Sequence, residues 1–178
     1  MQNCQRLNTA RKKQPPKLDL VPAALAYLAR YSASTAHLRQ VLQRKAERRI
    51  TRWDEPPEPA TVAAAIETAV ARMTDLGLLN DPEYAASLAR TLRARGDSLA
   101  KIRARLLAKG VDADTIASAL ALLNDDEETA AARYAERRRL GPYRTRPGKP
   151  DQPKRDIAAM CRAGFPVRIA RAVIERKT

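Results

Sequence analysis

The chain has 178 residues, with 34 Lys and Arg against 20 Asp and Glu, a formal charge of +14. That length suits one ordinary domain or a few small repeated modules, and so large a cationic excess implies a polyanionic partner: nucleic acid, an acidic membrane surface or an acidic protein groove. No apolar run approaches the roughly 18 residues of a membrane span, the segment Met1 to Lys17 lacks the apolar centre of a signal peptide, and Cys4, Cys161 and His37 are too few and scattered for a zinc site or disulfide scaffold, so a cytoplasmic protein is expected.

Residues 1–17 show no period, carry Arg11-Lys12-Lys13 and end in Pro15-Pro16, which predicts a disordered basic tail. From Leu18 onward, apolar residues recur three and four apart in an Ala- and Leu-rich background without strand alternation, so the rest is predicted to be all-helical. Breakers at Trp53 to Pro59, Gly77, Asn80 to Pro82, Gly96-Asp97, Gly110, Asn124-Asp125, Gly141-Pro142, Pro147 to Pro153 and Gly164 to Pro166 cut it into about nine helices. The first three are placed at Pro22 to Tyr31, Ser34 to Arg49 and Ala60 to Leu79. Next, Asn80 or Asp81 can cap a helix from Pro82 to Arg95, because a proline in the first turn lacks only an N–H that has no partner there. Gly110 can close the helix Ser98 to Lys109 in a left-handed conformation, and Asp112 can cap the helix holding Ile116 and Leu120.

This corner recurs. Leu99, Ile102, Leu106 and Leu107 precede Gly110-Val111, and Ile157, Met160 and Cys161 precede Gly164-Phe165, with apolar helices after each. A further helix lies before each corner, the second being Asp126 to Leu140, so the unit is three helices. The expected organisation is an elongated row of three modules, residues 18–79, 80–124 and 125–178, the first carrying a Pro-rich insertion at 53–59.

Charge follows this order. Residues 1–52 hold twelve basic and two acidic side chains, residues 53–129 eight and fourteen, and residues 130–178 fourteen and four, so basic ends flank an acidic middle. Arg outnumbers Lys by 25 to 9, which favours fork-like pairing with carboxylate or phosphate.

Leu76-Gly77-Leu78-Leu79-Asn80-Asp81-Pro82-Glu83-Tyr84-Ala85, Arg90, Gly96, Ile102-Arg103, Leu106 and Lys109-Gly110-Val111 resemble the pattern of the RecX family, regulators of the RecA recombinase. The opening from Ala24 to Arg44 is similar to that family's first module, and Arg162 to Phe165 with the Ile169 helix to its closing one. Asn80 stands where Asp is usual, Asp97 where an aromatic is common, and Arg49 to Pro59 replaces a short glycine turn. The resemblance implies an extended monomer that lies in the groove of the RecA–DNA filament, touching single- or double-stranded DNA through it. There it suppresses ATP hydrolysis, strand exchange and filament extension. Neither a cofactor nor a catalytic residue is implied.

Candidate contacts with filament or DNA are the basic helix faces: Arg39, Arg44, Lys45, Arg48 and Arg49; Arg90, Arg93, Arg95, Lys101, Arg103 and Arg105; Arg137, Arg138, Arg139, Lys154 and Arg155, with the loop Arg144 to Lys149. Each could instead be a solvated helix face. Tyr27, Tyr31, Tyr84, Tyr134 and Phe165 fall at core positions, whereas Trp53 and Tyr143, in Pro-rich loops, are candidate docking aromatics. His37 has no partner at a spacing that suggests catalysis. Two rival readings are a plain helix-turn-helix module on naked DNA, using Ser98 to Leu122, and a hydrolase using Asp125 to Glu128. The first is weakened because Thr115 to Leu122 carries no basic or amide side chain, the second because acids at a helix start complement its dipole.

Overall fold

The structure, a computed structural model, describes residues 17–146 and 149–176, so the tail lies outside the described residues except for Lys17. Among them are nine α-helices, one short 3-10 turn and no strand: α1 Val21–Leu28, α2 Thr35–Ile50, α3 Pro59–Asp75, α4 Asp81–Ala94, α5 Leu99–Ala108, α6 Ala113–Ala121, α7 Glu127–Arg138, the 3-10 turn Gly141–Tyr143, α8 Gln152–Arg162 and α9 Val167–Ile174. Extensive helix packing falls within α1–α3, within α4–α6 and within α7–α9. The result is an elongated row of three-helix repeats rather than one shared core.

Helix boundaries follow local chemistry. Ser34, Asn80, Ser98, Asp112 and Asp126 each accept a hydrogen bond from the backbone N–H three residues on, satisfying a donor that the first turn of a helix leaves unpaired. Asn80 is therefore the cap of α4. Asp81 instead turns its carboxylate to the first repeat, accepting from the Thr35 N–H at 2.7 Å and the Thr35 hydroxyl at 3.1 Å. Gly110 and Gly164 adopt φ of +73° and +91° behind α5 and α8, as the recurring corner requires. At the end of α7 the left-handed position is filled by Arg139, with φ of 54°.

Each repeat buries its own small core. Leu38, Leu42 and Met73 are fully enclosed in the first, Ile102, Leu106 and Ile116 in the second, and Met160 with the buried Phe165 and Ile169 in the third. Alanines supply much of the remainder, including Ala85, Ala86 and Ala89 on α4 and Ala130, Ala131 and Ala135 on α7. Units this small gain stability by stacking on neighbours.

The two junctions share one design. Ser34, capping α2, donates its hydroxyl hydrogen to the carbonyl of Lys109 at the end of α5; Ser98, capping α5, donates to the carbonyl of Ala163 at the end of α8, at 2.7 Å. Both serines are fully buried. The glycine after each acceptor lets the chains approach: a Cβ on Gly110 would collide with Ala36, and one on Gly164 would stand 2.6 Å from Ser98 Oγ and 3.2 Å from the Ala100 methyl. Gly96 plays the same part against α7, where a Cβ would lie 2.7 Å from the Tyr134 nitrogen. The middle helices α2, α5 and α8 thus run head to tail, with the negative end of one facing the positive end of the next.

Several expectations change. Arg93, read as a surface contact, is 3% exposed and locks the second repeat to the third: its guanidinium donates to Asp125 at 2.8 Å, to Glu127 at 2.7 Å and to the Asp97 and Asp125 carbonyls. Its position on α4 faces the next repeat rather than solvent. Arg144 likewise pairs with the buried Asp156 at 2.7 Å. Tyr31 is 58% exposed, because α1 ends at Leu28 and leaves it beyond the turn, where its ring lies tilted against Tyr27. Trp53 and Tyr143 are half-buried against the first and third cores, since a large ring folded back on apolar neighbours removes more area from water than an exposed one.

Truncating Arg93 to Ala leaves Glu127 without its cation and Asp125 with Arg133 alone, and urea titration should show a loss of about 3 kcal/mol, the low end for a broken buried pair. Gly164→Ala, strained by both φ and the Ser98 contact, should cost about 1–3 kcal/mol in the same measurement. Burial pushes the Asp156 carboxyl up, but hydrogen bonds from Arg144, the Gly141 N–H and Gln152 outweigh it and hold the group below its usual range. Its stabilisation is therefore complete above the unfolded carboxyl value near pH 4 and is lost as pH falls through the lower folded value. Chemical denaturation from pH 6 to pH 2 should show Asp156→Asn losing less stability on acidification than the unsubstituted protein.

Candidate polyanion-binding surface

Once the structural arginines are set aside, the exposed cations fall into two kinds. Some are engaged: Arg39 forks onto Glu67 at 2.8 and 2.9 Å, Arg49 donates to the Asp19 carbonyl at 2.9 Å, and Arg155 pairs with Asp151 at 2.7 Å. Lys101 lies 2.8 Å from Asp97, and Arg137 lies 3.5 Å from that carboxylate and 5.6 Å from the Tyr134 ring centroid. Others are exposed with no acidic partner within 4.0 Å among the described residues: Arg44, Lys45 and Arg48 on α2, Arg90 and Arg95 at α4, Arg103 and Arg105 on α5, Arg138 and Arg139 at α7, and Lys154 on α8.

The engaged group is weak ground for recognition, since an exposed pair such as Arg39–Glu67 must be broken before either member meets a ligand. Glu67 itself is held below its usual carboxyl range by the fork from Arg39. The unengaged group carries its charge outward at modest desolvation cost, which suits a polyanion. At the first junction the same excess acts inward. The half-buried His37 is pushed below the usual imidazole range by burial first, then by Lys109 and Arg44.

Three acids of the run Asp125 to Glu128 are used by packing, and the exposed Glu128 sits in the first turn of α7, where it complements the helix dipole. Asp125 takes Arg93 and Arg133, Glu127 takes Arg93 and the Leu99 N–H, and Asp126 caps α7. Helix α6, the second helix of the corner, carries no Lys, Arg, Asn or Gln. No helix among the described residues is long and apolar enough to cross a membrane.

Two groups of residues escape a reading of the sequence. The junction serines look like ordinary caps; their only further signal is that Ala follows each at the second position, Ala36 after Ser34 and Ala100 after Ser98. Arg162, exposed at the end of α8, is hidden in the Arg-Ala-Gly turn that parallels Lys109-Gly110.

A row of three-helix repeats joined head to tail defines a helical-repeat protein. The sequence model of the family described as RecX, second three-helix domain, matches residues 80–120, the stretch that holds α4 to α6. The chain is 42% identical over 169 residues to the regulatory protein RecX of Myxococcus xanthus strain DK1622, covering 92% of this chain and 89% of the relative. It is 31% identical to that of Agrobacterium fabrum strain C58, covering 88% and 82%, and 35% identical to that of Xanthomonas citri, covering 86% and 82%. The chain belongs to the RecX family of regulatory proteins.

Proposed function

We propose that this protein is a negative regulator of the RecA recombinase. It lies in the groove of the RecA–DNA filament as a monomer and suppresses ATP hydrolysis, strand exchange and filament extension, and so modulates DNA repair and recombination. The observation that carries this reading is the likeness to RecX regulators along nearly the whole chain, as in the 92% of it aligned with the Myxococcus relative. The modules, residues 18–79, 80–124 and 125–178, act as successive segments of one rod, and the unengaged arginines along them supply the attraction to a groove that offers both acidic protein and DNA phosphate.

A plain helix-turn-helix module on naked DNA has less support, because α6 offers no side chain suited to base edges and its N-terminal turn carries Asp112 and Asp114. Regulation by binding needs no catalytic group, and of the acids that a hydrolase would use, Asp125 and Glu127 are held by Arg93 and Arg133 and Asp126 by a helix cap, which leaves Glu128 alone at the surface.

The test is DNA-stimulated ATP hydrolysis by a RecA recombinase titrated with this protein, with competitor duplex in excess. Inhibition should appear at amounts far below those that cover the DNA and persist with competitor. Inhibition only at DNA-covering amounts, abolished by competitor, would overturn the reading in favour of simple DNA binding.

A further inference from the structure

The second junction leaves an open cleft of about 610 Å³ between α5, α7 and α8. Its floor is Ala100, Ala104, Ala159 and Gly164, and small side chains are imposed there by the Ser98–Ala163 hydrogen bond and the close approach behind it. The rim is formed by Lys101, Arg138 and Arg162, and one wall by Tyr134. Only Lys101 has an acidic partner, the buried Asp97; Arg138 and Arg162 have none within 4.0 Å among the described residues. Arg138 and Arg162 face one concavity and repel unless an anion enters, and packing supplies them none among the described residues.

The geometry points to this cleft as a binding site for the sugar–phosphate backbone of a single nucleic-acid strand, with phosphates held by Arg138 and Arg162. The Ala and Gly floor holds no large aliphatic side chain to pack around the anchor residue of a protein partner. It does let a backbone approach closely, and the guanidinium fork matches phosphate oxygens on successive nucleotides. Cation-lined grooves with an aromatic wall are the usual way proteins hold one strand without reading its sequence, and Tyr134 places a ring there. The inference deepens the proposed regulator role, since it says how the chain would touch a strand. Its test uses no recombinase, so either idea can fail without the other.

Binding of the full-length protein to a fluorescein-labelled oligothymidylate is measured by anisotropy across a potassium chloride series. Arg138→Ala/Arg162→Ala removes two phosphate contacts, so the log–log salt slope should become shallower by about 1.4, with about 10- to 30-fold weaker binding near 0.1 M salt. Arg168→Ala/Arg171→Ala on α9, outside the cleft, should stay within about threefold of the parent. An unchanged slope in the cleft variant, an equal loss in the α9 variant, or retained oligonucleotide binding with lost binding of polyglutamate would overturn the assignment. Should the cleft variant misfold by circular dichroism, the unsubstituted protein decides: photocrosslinking to a 4-thiothymidine oligonucleotide should label peptides containing Tyr134 or residues 159–164, and labelling confined elsewhere overturns it.

Discussion

Ser34 and Ser98 each serve two helices at once, accepting the N–H that opens their own helix and donating to the last turn of the middle helix in the next repeat. Both hydroxyls are buried, so losing either would leave a helix start uncapped and a carbonyl without a partner in a site water cannot reach, together about 2–4 kcal/mol. That requirement dictates the residues around it. Gly110 and Gly164 follow the acceptor carbonyls because nothing larger fits, and Ala36 and Ala100 face them for the same reason. With the spacing fixed, Arg93 can reach Asp125 and Glu127 across the second junction, and Asp81 can reach Thr35 across the first.

A row built this way has cores too small to stand alone and interfaces too polar to slide. Apolar surfaces of similar shape tolerate small shifts; a buried hydroxyl with one acceptor and a buried guanidinium with two carboxylates do not. The two junctions therefore fix how the exposed arginines of one repeat are spaced from those of the next. The last turn of α2 carries Arg48 and Arg49, which complement the helix dipole, and the Pro-rich segment after it returns Trp53 to the first core.

How much of this is legible in the sequence depends on the range of the interaction. Caps such as Asn80, Ser98 and Asp112 and the glycine corners can be read because every partner lies within a few residues, and the all-helical class and its repeat follow from them. The junctions join residues 75 and 65 positions apart, and a capping serine bears no mark of a second partner. Arg93 lies among interleaved charges, so it looks like the solvated Arg90 and Arg95; only its place on the buried side of α4 separates them. Tyr31 fails the other way, since its spacing matches α1 but the helix ends three residues earlier. Arg138 could be named from sequence, whereas its convergence with Arg162 and Lys101 around one cleft needed the second junction.

Ser34→Ala/Ser98→Ala cuts both junctions yet leaves every exposed cation in place, so its inhibition of recombinase ATP hydrolysis separates fixed register from net charge. With helical content retained by circular dichroism, inhibition should be at least tenfold weaker, because the cations no longer share one register. Full inhibition by a chain with both junctions cut would mean that register is irrelevant and that net charge alone is the source of activity.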